Sequence, residues 1–225
     1  MRKLAAPLNW MLVLIVAGCA SYEPTSTSLP QISANSKQIF ENGFTAAAEP
    51  CIDPNLQLAL FDADFTEAGI IAIQVAVGNE TDHSVVAQRA DMNLALPNGQ
   101  RLRPISAETV ARQVGEGGSP TAMLLGFGIL GSMAADNAEE MARTARATDY
   151  RLKQFDGSAI APGSSAQGYV YFSPSMAVSG TGSAYLEVRV RDPNESTSTT
   201  LIVPINNAAL QVKSTPKAVP THTIR

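Results

Sequence analysis

Apolar and polar residues alternate in several short segments of this chain. Residues 186–191 read Leu-Glu-Val-Arg-Val-Arg, and residues 71–77 read Ile-Ala-Ile-Gln-Val-Ala-Val. Successive side chains of a β-strand point to opposite faces, so this period of two predicts half-buried strands. In the second segment, Ile71, Ile73, Val75 and Val77 would share the buried face. Such segments constrain the chain to a sheet whose face must be covered.

Further strands are predicted in both the N-terminal and the C-terminal half of the chain. Leu56, Leu58 and Leu60 alternate with other residues, and residues 169–172 and 201–205 are also typical of strands. Met92, Leu94 and Leu96 precede Asn98-Gly99, a strong hairpin signal, with Leu102 and Ile105 expected on the return strand. Residues 37–44 fit either a short helix or a strand.

About seven short strands with turns rich in Gly, Pro and Asn predict an antiparallel β-sandwich of immunoglobulin-like type. The run 161–172, Ala-Pro-Gly-Ser-Ser-Ala-Gln-Gly-Tyr-Val-Tyr-Phe, resembles a strand entry of small bacterial immunoglobulin-like envelope domains. That resemblance implies the same fold. We therefore expect a mainly β domain over residues 37–212 and a disordered tail over 213–225.

A helical insertion interrupts the strand pattern at about 106–156. Ser106 is expected to cap a short helix that runs through Val114, followed by a flexible joint at 115–119. Residues 121–135 carry no charge and contain three glycines, which makes them a poor isolated helix. The next segment has an apolar and small-residue stripe with alternating steps of four and three, so we expect an α-helical hairpin. The stripe consists of Ala134, Ala138, Met141, Ala145, Thr148, Leu152 and Phe155.

Charged pairs are predicted on the opposite side of that second helix. Glu139 with Arg143, and Asp149 with Lys153, are four residues apart with the favourable polarity. Asp156-Gly157 should end the helix.

The uncharged part of the insertion is the candidate contact site. Three interpretations stay open: it packs on its own sandwich, it meets another subunit or partner, or it dips into a membrane. The candidate partner or membrane contacts are Leu124, Leu125, Phe127, Ile129, Leu130 and Met133.

Residues that could support catalysis or metal binding are sparse. His83 and Cys51 could form a nucleophile pair, but no supporting motif accompanies them. Cys51 is expected to be buried, with intermolecular pairing as the alternative. Asp62, Asp64 and Glu67 lack the rest of a calcium loop, so a solvated acidic turn is expected. We therefore expect no enzyme activity, no catalytic residue, no metal and no cofactor.

The N-terminus has the layout of a secretory signal. Arg2 and Lys3 precede an apolar run at 8–16, which is shorter than the roughly 20 residues of a membrane span. The run ends in Val16-Ala17-Gly18-Cys19, which resembles the lipobox of bacterial lipoproteins. The resemblance implies cleavage before Cys19, acylation of Cys19 and a membrane anchor without a spanning helix.

The lipobox resemblance also implies a location. Ala20 and Ser21 follow the cysteine, a pattern similar to that of lipoproteins sorted to the periplasmic face of the outer membrane. Residues 19–36 would form a lipidated flexible tether after a signal peptide at 1–18.

The charge of the chain excludes one class of expected partner. The net charge is −4 and only 16% of residues are charged, so nucleic acid binding is not expected. The expected role is a non-catalytic binding or assembly subunit of the cell envelope, with an envelope protein or a second copy as partner. The alternative is a carrier of a small molecule or lipid, with its pocket between the sandwich and the hairpin.

Overall fold

The fold is described from a computed structural model of the full chain. The structure describes residues 29–32, 36–117, 129–174, 182–193, 197–206 and 210. For residues 116, 117 and 129–138 only the course of the backbone is described.

Eight strands and three helices form the described part of the chain. In chain order the elements are β1 (Gln38–Glu41), β2 (Phe44–Pro50), α1 (Pro54–Phe61), β3 (Ile71–Asn79), β4 (Asn93–Ala95), β5 (Arg101–Leu102), α2 (Ala107–Gly117), α3 (Ile129–Lys153), β6 (Ser165–Phe172), β7 (Ala184–Arg191) and β8 (Ser198–Ile205). A short 3-10 helix at Arg89–Asp91 precedes β4. The mainly β prediction is confirmed.

The strands form two antiparallel sheets of four strands each. Sheet 1 has the order β1-β2-β3-β6, and sheet 2 has the order β5-β4-β7-β8. In sheet 1, Ile73 pairs with Val170, and in sheet 2, Leu186 pairs with Val203. The inner faces of both sheets supply one apolar cluster, which includes Ile71, Ile73, Val75, Val77, Leu94, Val170, Phe172, Leu186, Val188, Val190, Leu201 and Val203. The two sheets therefore pack face to face as a sandwich.

The helices form a third layer on the outer face of sheet 1. A second apolar cluster joins residues of α1, α2 and α3 to Ala72, Tyr169 and Tyr171 of the sheet. Because of this layer, β3 is buried on both faces between Ile71 and Val75, whereas the alternation alone predicts one buried face. Alternation marks the inner face correctly, but it does not reveal what covers the outer one.

Residues 54–61 form a helix, so the strand predicted from Leu56, Leu58 and Leu60 is wrong. Asp53 caps α1 by accepting a hydrogen bond from the Asn55 backbone nitrogen at 2.9 Å, and a proline follows at the first helical position. The helix buries Leu60 and leaves Leu58 51% exposed. A short apolar run fits a strand or a helix equally well, and here the Asp53 cap favours the helix.

Residues 37–44, for which helix and strand were both open, form the β1–β2 hairpin. Asn42 and Gly43 have φ values of 51° and 78°. Two consecutive positive φ angles match the right-handed twist of the flanking strands, and Asn-Gly favours them.

The chain crosses from sheet 2 to sheet 1 after β5. The backbone nitrogen of Ile105 donates to the Tyr171 oxygen of β6 at 2.8 Å. The hairpin around Asn98-Gly99 is thus confirmed through Leu102, but Ile105 lies at the other sheet. Ser106 then begins α2, where its Oγ accepts from the Thr109 nitrogen at 3.3 Å. The helix continues through Gly117, beyond the predicted end at Val114.

The end of α3 returns to the sheet at Gly168. The backbone nitrogen of Phe155 donates to the Tyr169 oxygen at 2.9 Å. A Cβ at Gly168 would lie 2.4 Å from the Phe155 Cα, which is closer than atoms can approach. Glycine at this position therefore permits the chain after the helix to lie against β6.

Candidate functional site

An aromatic cluster fills the space between sheet 1 and the helices. Phe61 at the end of α1 stacks on Phe65, with ring centroids 4.5 Å apart. Tyr150 of α3 and Tyr169 and Tyr171 of β6 pack edge-on around Phe61, at centroid distances of 5.0 to 6.2 Å. All five rings are at most 1% exposed. The described part of the helical layer is therefore closely packed on its own sandwich.

Two of the three tyrosine hydroxyls of this cluster donate hydrogen bonds to backbone oxygens. The Tyr150 hydroxyl donates to the Phe61 oxygen at 3.0 Å, and the Tyr171 hydroxyl donates to the Tyr150 oxygen at 3.1 Å. Burial raises the pKa of Tyr150 and of Tyr169 above that of an ordinary tyrosine. These groups stay neutral and serve packing.

A buried ion pair lies beside the aromatic cluster. Lys153 Nζ is 2.6 Å from both carboxylate oxygens of Asp149 and donates to the Leu60 oxygen at 2.6 Å. The two side chains are only 6% and 4% exposed. The pairing of Asp149 with Lys153 is confirmed, but its burial differs from the prediction. The pair was expected on the exposed side of the helix, opposite an apolar stripe that was expected to be packed. The signal that could have located it is Tyr150, which lies between the partners and directs their face inward.

The outer face of α3 includes Met141, Thr148 and Leu152 of the predicted stripe, which are exposed, and Ala145, which is partly exposed. Met141 is 74% exposed and Leu152 is 80% exposed, whereas Phe155 of the same predicted stripe is buried. Docking of Ala147 and Tyr150 on the sheet turns the stripe away from the core. The apolar stripe therefore faces outward over this part of the helix.

The candidate contact residues lie in or next to the part of the chain that is not described. Leu124, Leu125, Phe127 and Cys19 lie outside the described residues. Ile129, Leu130 and Met133 lie in the first turns of the α3 backbone. The hypotheses about them stay predictions.

Helices α2 and α3 are joined by an ion pair. Glu108 accepts hydrogen bonds from Arg151 Nε at 3.1 Å and from Arg151 Nη2. The guanidinium beside it is the largest cause that lowers the pKa of Glu108 to about 2. The pair connects the two helices at the surface, where both side chains are more than half exposed.

The Glu108 carboxylate is expected to titrate far below the usual range. A depressed pKa stabilises the fold above the unfolded value of about 4.3, and this contribution is lost as the pH falls through about 2. Arg151→Gln should move the Glu108 midpoint upward, as followed by carboxyl carbon NMR. Because the pair is exposed, the loss in unfolding free energy should stay below about 1 kcal/mol. An unchanged midpoint would contradict the assigned cause.

Cys51 and His83 do not form a pair. Cys51 continues β2, with its nitrogen bonded to the Ala72 oxygen, whereas His83 follows Asn79 at the other end of β3. Seven strand residues separate these points by roughly 23 Å. Cys51 is buried at 7% exposure, which confirms its expected burial. Burial is also the main reason that the pKa of its thiol rises to about 11.

We expect Cys51 to be inert in the folded protein. With a pKa of about 11, only about one thiol in a thousand is ionised at pH 8, and the sulfur is also shielded. Iodoacetamide should label Cys51 at least a hundred times more slowly in buffer than in 8 M urea. Equal rates would show that the thiol is accessible and open to intermolecular pairing.

His83 lies between two carboxylates. Its Nδ1 is 2.9 Å from Asp82 Oδ1, and its Nε2 is 2.8 Å from Asp192 Oδ2. Donation from both ring nitrogens requires the imidazolium form. The hydrogen bond from His83 is the main cause that lowers the pKa of Asp82. The contact ties the loop after β3 to the end of β7, beside a cavity of about 280 Å³ that Thr81 and Ser198 help to line.

Two acidic residues of the turn after α1 have structural roles within that turn. Asp62 adopts a left-handed conformation at the end of the helix, and Asp64 Oδ1 accepts from the Glu67 nitrogen at 2.9 Å. Among the described residues, no group of three or more His, Cys, Asp or Glu side chains is placed to hold a metal ion.

Two findings concern attachment to a membrane. Within the described ranges, no helix is long and apolar enough to cross a membrane. Leu29 packs against the cluster under the helices, and the Pro30 oxygen accepts from Gln74 Nε2. Part of the segment predicted to be a tether thus lies on the domain.

Comparisons with known proteins give little that bears on function. No protein-family model matches the chain. No curated protein matches it either. Among solved structures, the chain is similar to a functionally unknown protein from Listeria monocytogenes EGD-e, with 13% identity and a TM-score of 0.32 over 75% of this chain and 80% of that chain. A similarity this low carries no argument, so the function has to be inferred from the residues of this chain.

Proposed function

We propose that the protein is a lipid-anchored lipoprotein of the bacterial envelope and acts as a non-catalytic binding or assembly subunit. The observation that carries the anchor is Val16-Ala17-Gly18-Cys19 at the end of a short apolar run. Each buried methylene contributes about 0.8 kcal/mol, so two or three acyl chains would hold the chain on a membrane. Ala20 and Ser21 favour the periplasmic face of the outer membrane.

The binding role is favoured by uncharged surface on α3 and in the segment beside it. The outer face of α3 carries two large, mostly exposed apolar side chains, and the candidate contact segment 121–135, which overlaps the start of this helix, carries no charge. Exposed apolar surface next to a domain with a well-packed interior is typical of a contact surface. We assign the contact to α3 and to the segment before it.

The sandwich is proposed to be of immunoglobulin-like type. Strands β2-β3-β6 face β4-β7-β8, which is the order of strands A-B-E and C-F-G in that fold. In this assignment β1 and β5 are additional edge strands, and the helices α2 and α3 are inserted between β5 and β6. Because this fold hosts many functions, the assignment supports the architecture and not the role.

The carrier alternative has less support. A carrier needs an enclosed cavity under the helices. The aromatic cluster of Phe61, Phe65, Tyr150, Tyr169 and Tyr171 occupies that space in the described part.

A photo-cross-linking residue at Phe127, introduced in living cells, tests the binding role. The control position is Asn98, which is exposed in the turn between β4 and β5. A discrete protein adduct at position 127 that is absent at position 98 is expected, and its mass would begin to identify the partner. Adducts to lipid, or internal products alone, would overturn the binding role.

A further inference from the structure

We propose that residues 29–32 form a releasable strap, which gives the tether between the lipid anchor and the domain two lengths. The strap docks on sheet 1, where Leu29 packs against the cluster under the helices and the Pro30 oxygen accepts from Gln74 Nε2. Docking shortens the tether, and release lengthens it. The role in tethering rests on the proposed anchor at Cys19, whereas the docking rests on described residues alone.

The strap docks at a polar position of an otherwise apolar strand. Gln74 is the one polar residue in the run 71–77, and it lies opposite Glu49 of β2 and Tyr169 of β6. The Gln74 side chain belongs to a residue that is only 5% exposed, and a buried amide requires a hydrogen-bond partner. The backbone of the strap supplies that partner. A glutamine at this point of β3 is therefore explained by the strap.

The same glutamine makes release inexpensive. When the strap leaves, water reaches the Gln74 amide in place of the Pro30 oxygen, so no buried donor is left unpaired. An apolar residue at this position would instead be exposed by release.

Few contacts hold the strap in place. Leu29 is only partly buried, and the next contact along the chain is the Ser36 hydroxyl, which donates to Glu49 Oε2 at 3.1 Å. These contacts have to offset the conformational entropy of ordering the strap, a cost that Pro30 reduces because its φ angle is fixed. We therefore expect the docked and released states to be close in free energy.

The two states differ in how far the domain extends from the anchor. Ten residue steps separate Cys19 from Leu29, and nineteen separate it from Gln38, where β1 begins. At about 3.5 Å per residue, the tether spans at most about 35 Å with the strap docked and about 65 Å with the strap and the Ser36 contact released. The difference is about the diameter of a small domain. A partner that holds the domain farther than about 35 Å from the membrane would thus release the strap.

Distances between two spin labels test the strap in the full-length chain, purified from membranes in detergent. One label is attached at Gln31→Cys, an exposed position in the strap, and the other at Thr200→Cys, an exposed position in β8, in a Cys51→Ala background. Double electron–electron resonance should show a narrow distance for the docked state and a broad distribution for the released state. Both populations are expected in the parent chain.

Two variants should shift the populations. Leu29→Asp places a charge against the apolar cluster, and Gln74→Glu replaces the donor by a carboxylate that faces the Pro30 oxygen. Each should raise the ratio of released to docked strap at least tenfold. Leu152→Asp, a matched change at an exposed leucine of α3, should leave the ratio unchanged.

Four outcomes would overturn the inference. A single narrow distance in the parent would show a fixed segment, and a single broad distribution would show that the strap does not dock. Equal effects of Leu29→Asp and Leu152→Asp would show that the Leu29 contact does not hold the strap. The mass of the N-terminal peptide, measured on the same chains, separates the anchor from the strap: two populations on a chain with an unmodified Cys19 would overturn the role in tethering and leave the docking intact.

Discussion

Replacing Lys153 with methionine is expected to lower the free energy of unfolding by about 3–5 kcal/mol. Methionine keeps most of the apolar stem but removes the ammonium that donates to Asp149 and to the Leu60 oxygen. Asp149 would then hold a negative charge at 4% exposure without the cation that offsets its desolvation. Urea denaturation followed by circular dichroism measures this loss.

A double variant separates the cost of a lone buried charge from the value of the pair. Asp149→Leu combined with Lys153→Met removes both charges, and stability should return to within about 1 kcal/mol of the parent. Glu139→Gln with Arg143→Gln is the exposed control, for which a loss of about 0.5 kcal/mol or less is expected. If Lys153→Met alone costs no more than this control, the pair is not buried and the packing of α3 described above is wrong.

Phe61→Ala is also expected to cost about 3–5 kcal/mol. Phe61 is fully buried and contacts the rings of Phe65, Tyr150, Tyr169 and Tyr171, so truncation would leave a cavity at the centre of the helical layer. The surrounding rings belong to α3, to β6 and to the turn after α1, and they cannot all move to fill it. Denaturant unfolding and binding of an apolar dye by the folded variant would both report the cavity.

The matched control for Phe61 is another phenylalanine. Phe40 lies on the edge strand β1 and is 62% exposed. Phe40→Ala should change stability by about 0.5 kcal/mol or less. Similar losses for the two variants would contradict a helical layer that packs on sheet 1.

The strands of the sandwich could be predicted because their signal is local. Residues 71–77 and 186–191 alternate over at least three repeats, and each of these segments is a strand with the expected inner face. The Asn98-Gly99 turn was identifiable for the same reason. Asn42-Gly43 carries the same local signal, which indicates a strand hairpin rather than a helix for residues 37–44.

Short apolar runs were harder to assign. Leu56, Leu58 and Leu60 alternate over only five residues, which is less than two helical turns and therefore fits both structures. The Asp53-Pro54 start signal distinguishes them, since an aspartate followed by proline is typical of a helix N-terminus.

The apolar stripe of α3 does not predict the orientation of the helix, and Tyr150 is the residue of the helix that marks its buried face. The predicted stripe is apolar and the actual buried face contains Asp149 and Lys153, so a rule based on hydrophobicity selects the wrong side. Burial of that face depends on Tyr169 and Tyr171 of β6 and on Phe61 of α1, which all lie outside the helix. The contact of His83 with Asp192 is likewise determined by the packing of two sheets and leaves no local pattern.

The most direct test of the proposed function is the intact mass of the N-terminal peptide of the protein purified from its own membranes. The lipoprotein proposal predicts a chain that begins at Cys19 and carries two or three acyl chains on that residue. Cys19→Ala should leave the chain unacylated and uncleaved at this site. An N-terminus at another residue, or an unmodified Cys19 thiol in membrane-associated protein, would contradict the proposal.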